Sequence, residues 1–214
     1  MLSPEPLPCV VVEFQSQVMK WGGNNFASFP WRATRNLWHA LVAEIMLQRT
    51  SALQVLPVYI QFSSRFPSPD SYLANDGYKV FAQLGLHWRE AMLRPLAESL
   101  VINGFPRNRE ALESLPGVGD YIASAMLSLH MNVRATIIDA NVVRLLGRAW
   151  GFEWDGETRR KQWLRRIADT LTPARDFRSY NYAVLDLTRA VCTKTPKCLQ
   201  CPLRRLCHYA TAVD

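Results

Sequence analysis

Apolar residues recur three and four positions apart along most of the chain, and no segment alternates with the period of a half-buried strand. The clearest runs are Leu37–Leu47, Leu53–Phe62, Ala91–Val101, Ile122–Leu129, Val142–Trp150, Trp163–Leu171 and Tyr182–Val191. Each gathers Leu, Ile, Val, Met or aromatic residues on what would be one face of a helix. Breaks are expected where Gly and Pro interrupt the pattern: Gly22-Gly23, Phe29-Pro30, Phe66-Pro67, Gly104-Phe105-Pro106, Leu115-Pro116-Gly117 and Thr172-Pro173. The pattern predicts an all-α protein of around ten short helices joined by short loops. It shows neither an internal repeat nor a low-complexity tract.

Composition narrows the class. At 214 residues and 49% hydrophobic, the chain has enough apolar surface for one large domain or two small ones sharing a core. Twenty-five Lys and Arg against 18 Asp and Glu give a net charge of +7, which suits a polyanionic partner but also fits a ribosomal or membrane-surface protein. Met1 to Pro8 carry no Lys or Arg and no long apolar run, so no secretory signal is expected. No stretch approaches the roughly eighteen apolar residues of a membrane span. An intracellular protein of cytoplasm or nucleoid is expected.

Four of the five cysteines, Cys192, Cys198, Cys201 and Cys207, fall within sixteen positions in the pattern C-x5-C-x2-C-x5-C. In a reducing compartment such a cluster points to metal ligation rather than disulfides. Spacing alone leaves zinc and an iron–sulfur cluster both open. Cys9 stands apart and reads as a small packing residue or an idle thiol. The second marked segment is Leu115-Pro116-Gly117-Val118-Gly119-Asp120-Tyr121. Gly117 and Gly119 allow positive φ and leave no Cβ between backbone and ligand. Their N–H groups, with the first N–H groups of the next helix, would form an anion site for a phosphate. An ordinary corner between two helices could have the same residues.

Together with Phe29-Pro30-Trp31-Arg32, Ala43-Glu44-Ile45-Met46-Leu47-Gln48-Arg49-Thr50, Phe105-Pro106-Arg107-Asn108-Arg109 and Ile137-Ile138-Asp139-Ala140-Asn141, the hairpin and the cysteine block resemble the helix-hairpin-helix (HhH-GPD) DNA glycosylase superfamily. The similarity, to its MutY/Mig-like branch, runs from about Phe29 to Cys207. It implies two lobes: a six-helix barrel over residues 25–134 and an iron–sulfur lobe from 1–24 and 135–214, with the site in the cleft between them. It also implies a 4Fe–4S cluster on the four cysteines, with zinc as the alternative. The family spacing is one residue longer in the first gap, between Cys192 and Cys198. Lys194, Lys197, Arg204 and Arg205 around the block would then meet DNA phosphates rather than form a merely solvated face.

The resemblance also assigns roles. Breaking an N-glycosidic bond puts positive charge on the sugar and negative charge on the departing base. Asp139 matches the essential carboxylate, and it can also cap the helix from Asn141, whose N-terminus would hold it in place. Glu44 matches the general acid of MutY; a carboxyl buried in a pocket is suited to donate a proton, because burial disfavours its charged form. Tyr121 stands where endonuclease III carries its Schiff-base Lys, so a monofunctional enzyme using water is expected. Gln48 and Arg49 match residues that fill the gap left by a flipped base. Gly117, Val118 and Gly119 match the DNA-binding hairpin, and Trp31, Arg32 and Tyr182 the base pocket. Asp120 departs from the usual Lys or Arg and is expected to face away from the phosphate. His39, His87, His130 and His208 read as surface or packing residues, and Trp88, Trp150, Trp154 and Trp163 as core.

The expected partner is double-stranded DNA with a mismatched base, bound by a monomer. The chain ends seven residues after Cys207, without the domain in which MutY reads 8-oxoguanine, and Tyr182 stands where MutY has Gln or Glu. Both features favour thymine or uracil opposite guanine. Met46-Leu47-Gln48 is closer to MutY and keeps adenine as the alternative. A non-catalytic DNA-binding iron–sulfur module would not need Asp139 and Glu44, and an electron carrier would not need the hairpin.

Overall fold

The computed structural model describes residues 6–75, 79–85 and 87–212; the side chains of His87 and Trp88 fall outside the described residues. Among these residues the regular structure is all helical, with no strand. The chain divides into two compact units, residues 1–27 with 133–214, and residues 28–132.

In chain order the α-helices begin with α1 (Pro8–Asn25), α2 (Pro30–Ala33), α3 (Leu37–Leu47) and α4 (Ala52–Arg65). Next come α5 (Pro69–Leu73), α6 (His87–Asn103), α7 (Arg109–Glu113) and α8 (Asp120–Ala125). The last are α9 (Ala140–Trp150), α10 (Gln162–Leu171), α11 (Phe177–Ala190) and α12 (His208–Thr211). A π-helical turn, Met126–His130, continues α8.

The discontinuous unit is built on α1, α9, α10 and α11. Phe14 and Val18 of α1 pack with Val142, Leu145 and Leu146 of α9, Leu164 and Ile167 of α10, and Ala183 and Leu187 of α11. One expectation fails here: Gly22-Gly23 does not break a helix, because α1 runs through both to Asn25. Gly22 faces α11, where an added Cβ would sit 2.5 Å from the Ala183 Cβ, so the glycine permits a close helix crossing. The segment leading into α9 is tied down in several places. Arg134 donates to the Asp169 carboxylate and to the carbonyls of Asp169 and Thr172, while Thr136 Oγ1 donates to Asp169. Asn181 Nδ2 donates to the Ala135 carbonyl.

The continuous unit holds α2 to α8. Asn36 caps α3 by accepting from the Trp38 and His39 N–H groups, and Ser51 and Gln54 form a reciprocal cap on α4. Along α3 every residue from Ala40 to Met46 is buried, so it is the central helix of this unit. Aromatic rings of Trp38, Phe62, Phe66 and Tyr72 meet at tilted or edge-on angles beneath it.

Candidate active site

Asp139 is the N-cap of α9. Its Oδ1 accepts from the Asn141 N–H at 2.8 Å and the Val142 N–H at 2.7 Å, and its Oδ2 from Asn141 Nδ2 at 2.7 Å. Three charge-assisted bonds fix both oxygens of a partly exposed carboxylate. The bonds continue from there: Asn141 Oδ1 accepts from Arg144 at 2.9 Å, and Arg144 donates to the carbonyls of Cys192 and Thr188. Tyr182, in the same unit on α11, is half-buried with the Arg178 guanidinium 5.9 Å from its ring.

The cysteine block lies against α9 and α12. Cys192, Cys198, Cys201 and Cys207 line one pocket of about 340 Å³, with Leu145, Ala149, Val191, Leu203 and Ala210 supplying apolar walls. All four are free thiols. Burial, with smaller contributions from the other three cysteines, pushes the Cys201 thiol up to about 11. Buried Arg148 reaches into the loop, donating to the carbonyls of Thr193 and Lys194 and to Cys192 Sγ at 3.5 Å. Among the described residues no group of three or more His, Cys, Asp or Glu is placed to hold a metal ion. Four reduced cysteines facing one apolar pocket nonetheless have the chemistry of a thiolate-ligated centre. Despite the shortened first gap, all four cysteines lie on the wall of the same pocket. Lys194, Lys197 and Arg205 are exposed around the block, Arg204 partly so, and Cys9 is an exposed thiol on α1.

In the continuous unit Glu44 is 3% exposed at the centre of α3. His130 Nε2 lies 3.1 Å from its Oε1. Sequence reasoning missed this pairing, because a histidine at the end of an apolar helix gives no sign of which neighbour it will meet. His39, by contrast, is a packing residue, bonding the Phe66 carbonyl.

One turn past Glu44, α3 ends in a tight turn. Gln48 N–H bonds the Ile45 carbonyl, and Arg49, exposed, takes a left-handed φ of 60° that disfavours a side-chain-bearing residue. Beneath this turn the buried Arg89 guanidinium also donates to the Ile45 carbonyl. Burial, and then the charge of Arg49, push Arg89 below its ordinary value. The turn therefore presents Gln48 and Arg49 on a braced, strained backbone.

The hairpin connects α7 and α8. Gly117 has φ +77°, the left-handed conformation expected of it. Gly119 differs: it is extended at φ −105° as the N-cap of α8, and an added Cβ would meet nothing within 4 Å. Its value is an open approach to the backbone, not a special dihedral. Val118 has a buried side chain and spends its N–H on the Leu115 carbonyl, so its contribution to the hairpin is structural. The N–H groups with no acceptor inside the helix are those at the start of α8. Asp120 pairs with Arg109 at 3.0 Å, and Tyr121 follows it, partly exposed. Trp31 is 3% exposed, stacked 4.7 Å from Phe29 and edge-on to Tyr59, which makes it a core residue of this unit. Its neighbour Arg32 is partly exposed above the Phe29 ring.

No protein-family model matches the chain. It is 32% identical to a thymine/uracil-DNA glycosylase of Methanothermobacter thermautotrophicus, covering 92% of each chain. It is 37% identical to a thymine/uracil-DNA glycosylase of Pyrobaculum aerophilum, covering 89% of this chain and 88% of the relative. An adenine DNA glycosylase of Buchnera aphidicola is 30% identical over 84% of this chain, which spans 53% of that protein. Among solved structures, a thermostable thymine-DNA glycosylase superposes with a TM-score of 0.88 at 30% identity, covering 95% of this chain and 98% of the other. Endonuclease III, in a trapped covalent complex with DNA, shares the fold with a TM-score of 0.81 at 22% identity, covering 97% of this chain and 99% of the other. The chain therefore belongs to the helix-hairpin-helix DNA glycosylases, hydrolases of N-glycosyl bonds, in the family that holds the thymine/uracil-DNA glycosylases.

Proposed function

We propose that this enzyme removes thymine or uracil paired with guanine in duplex DNA, and that it does so by hydrolysis with little or no AP lyase activity. The observation that carries the reading is the match to thymine/uracil-DNA glycosylases along 86–92% of their own lengths. The adenine glycosylase of Buchnera is matched over about half its length. Tyr182, which stands where MutY has Gln or Glu, and Tyr121 fit this reading, since each phenol hydroxyl can donate to the O2 or O4 carbonyl of a pyrimidine.

The chemistry divides between the residues described above. As the C1′–N bond breaks, its electron pair leaves with the base, which takes the proton of Glu44. Asp139 stabilises the positive sugar and accepts the proton of the water that adds at C1′. Exchange with solvent returns both carboxyls to their starting states. Tyr121 has no amine, so no Schiff base to the sugar forms at that position. Gln48 and Arg49 would fill the gap left by the flipped nucleotide, with Arg32 and Tyr182 beside the base. The start of α8, with Gly117 and Gly119, would bind a phosphate. Cys192, Cys198, Cys201 and Cys207 would hold a 4Fe–4S cluster that folds the C-terminal loop and presents its basic residues to DNA. Adenine opposite guanine or 8-oxoguanine is the second reading, favoured by the Met46-Leu47-Gln48 segment and the adenine glycosylase match.

Incubation with a G·U duplex tests the hydrolytic reading. The expected product is an intact abasic strand that breaks only after alkali. Efficient borohydride trapping of an enzyme–DNA adduct would show that an amine attacks the sugar and would overturn it.

A further inference from the structure

Glu44, the proton donor of the proposed reaction, lies on a helix that is otherwise apolar at its centre, and one polar side chain meets its carboxyl. His130 Nε2 is 3.1 Å from Glu44 Oε1, and only 1% of the His130 side chain and 4% of that of Glu44 remain exposed. The ring arrives from the end of the π-helical turn Met126–His130, closed by a Met131 N–H bond to the Met126 carbonyl five residues back. Such a widened turn re-aims side chains relative to an α-helix and is common at functional sites.

The other ring nitrogen decides the proton's place. Nδ1 is buried and has no hydrogen-bond partner among the described residues. A ring with hydrogen on Nδ1 would bury an N–H donor with no acceptor, whereas hydrogen on Nε2 leaves only a bare lone pair there. The Nε2–H tautomer is therefore favoured, and it donates to Glu44 Oε1. Oε1 is then an acceptor whether or not the carboxyl is ionised, and Oε2 is the oxygen left to carry the acid proton.

We propose that His130 is a positioning residue for Glu44. It fixes the carboxyl rotamer, reserves Oε2 for the proton given to the departing base, and keeps a hydrogen bond on the carboxylate that remains. This rests on the reading of Glu44 as the acid, and the test separates the two.

Single-turnover base release is measured on duplexes carrying uracil or 5-fluorouracil opposite guanine, with duplex affinity and thermal unfolding followed alongside. His130→Gln places an amide N–H near the position of Nε2 and should keep the uracil rate within about threefold. His130→Asn, whose amide stops at the level of Nδ1, should lose roughly 10- to 30-fold on uracil, a fraction of the roughly 10²- to 10⁴-fold that a positioned acid contributes. It should lose little on 5-fluorouracil, which leaves as a more stable anion and needs less protonation. In a Glu44→Gln background, His130→Asn should change nothing further. Should Asn unfold the protein, His130→Met, of similar length and without a donor, takes its place with the same expected rates. Equal slowing of both substrates, additive loss in the Glu44→Gln background, or wild-type uracil rates for His130→Asn beside an inactive Glu44→Gln would overturn the proposal. Wild-type activity of Glu44→Gln would overturn the assignment of Glu44 itself, and His130 with it.

Discussion

Asp139 has two tasks, and the geometry allows them to be separated. As a cap it needs only an oxygen that accepts from the Asn141 and Val142 N–H groups, and Asn caps a helix about as well as Asp. As a catalyst it needs its charge. Asp139→Asn is therefore expected to unfold at nearly the wild-type temperature and to bind duplex DNA at least as well. Its base release should fall by at least about 10²-fold, the scale of a lost preorganised charge. Asp139→Ala should add a stability loss of about 1 kcal/mol for the missing cap. Thermal unfolding, DNA affinity and single-turnover rates on the same preparations separate the two roles; an active Asn variant would place the essential carboxylate elsewhere. Asp139 and Glu44 could be named as candidates from the sequence because each lies in a run of residues that the family resemblance covers. His130 was not, since its partner depends on a π-helical turn that hydrophobic periodicity does not reveal. Trp31, read as lining the base pocket, is held instead in the core by Phe29 and Tyr59, contacts that arise only on folding.

Helices α3, α9 and α10 lie close to where apolar spacing put them: α9 and α10 each have a broad buried face and a clear polar one, and α3 is apolar nearly throughout and buried along most of its length. Helix α1 was the failure. Its two glycines resemble a turn, and only the crossing with α11 shows that Gly22 is needed inside a helix. Gly22→Ala tests this directly. The new methyl would meet Ala183 at 2.5 Å, both atoms being held by backbone, so the helices must part. The expected cost is about 1–3 kcal/mol, typical of an overpacked contact, read as a lower midpoint in thermal or denaturant unfolding. Gly23→Ala, with nothing within 4 Å of the added Cβ, is the control and should be neutral or slightly stabilising. Equal loss in both would show that general flexibility, not the crossing, requires the glycines. The hairpin makes a similar point: both glycines looked alike in sequence, yet only Gly117 uses a left-handed backbone.

For the molecule as a whole, membership of the glycosylase family leaves two chemical points to be measured: whether the four cysteines hold an iron–sulfur cluster, and which base is excised. The proposed 4Fe–4S cluster on the four cysteines predicts a yellow-brown protein containing iron and acid-labile sulfide, with the broad visible absorption of thiolate–iron charge transfer. Cys198→Ser should bleach it and lower its unfolding temperature, because a ligand-held loop would lose its anchor. An active, colourless wild-type protein with one zinc per chain would contradict the cluster. The base is decided by single-turnover release from four duplexes, G·T, G·U, A·G and A·8-oxoguanine, under one set of conditions. Faster release of thymine and uracil than of adenine is expected, whereas adenine leaving about tenfold faster than thymine, a difference of about 1.4 kcal/mol in transition-state stabilisation, would contradict the account and make this chain an adenine glycosylase.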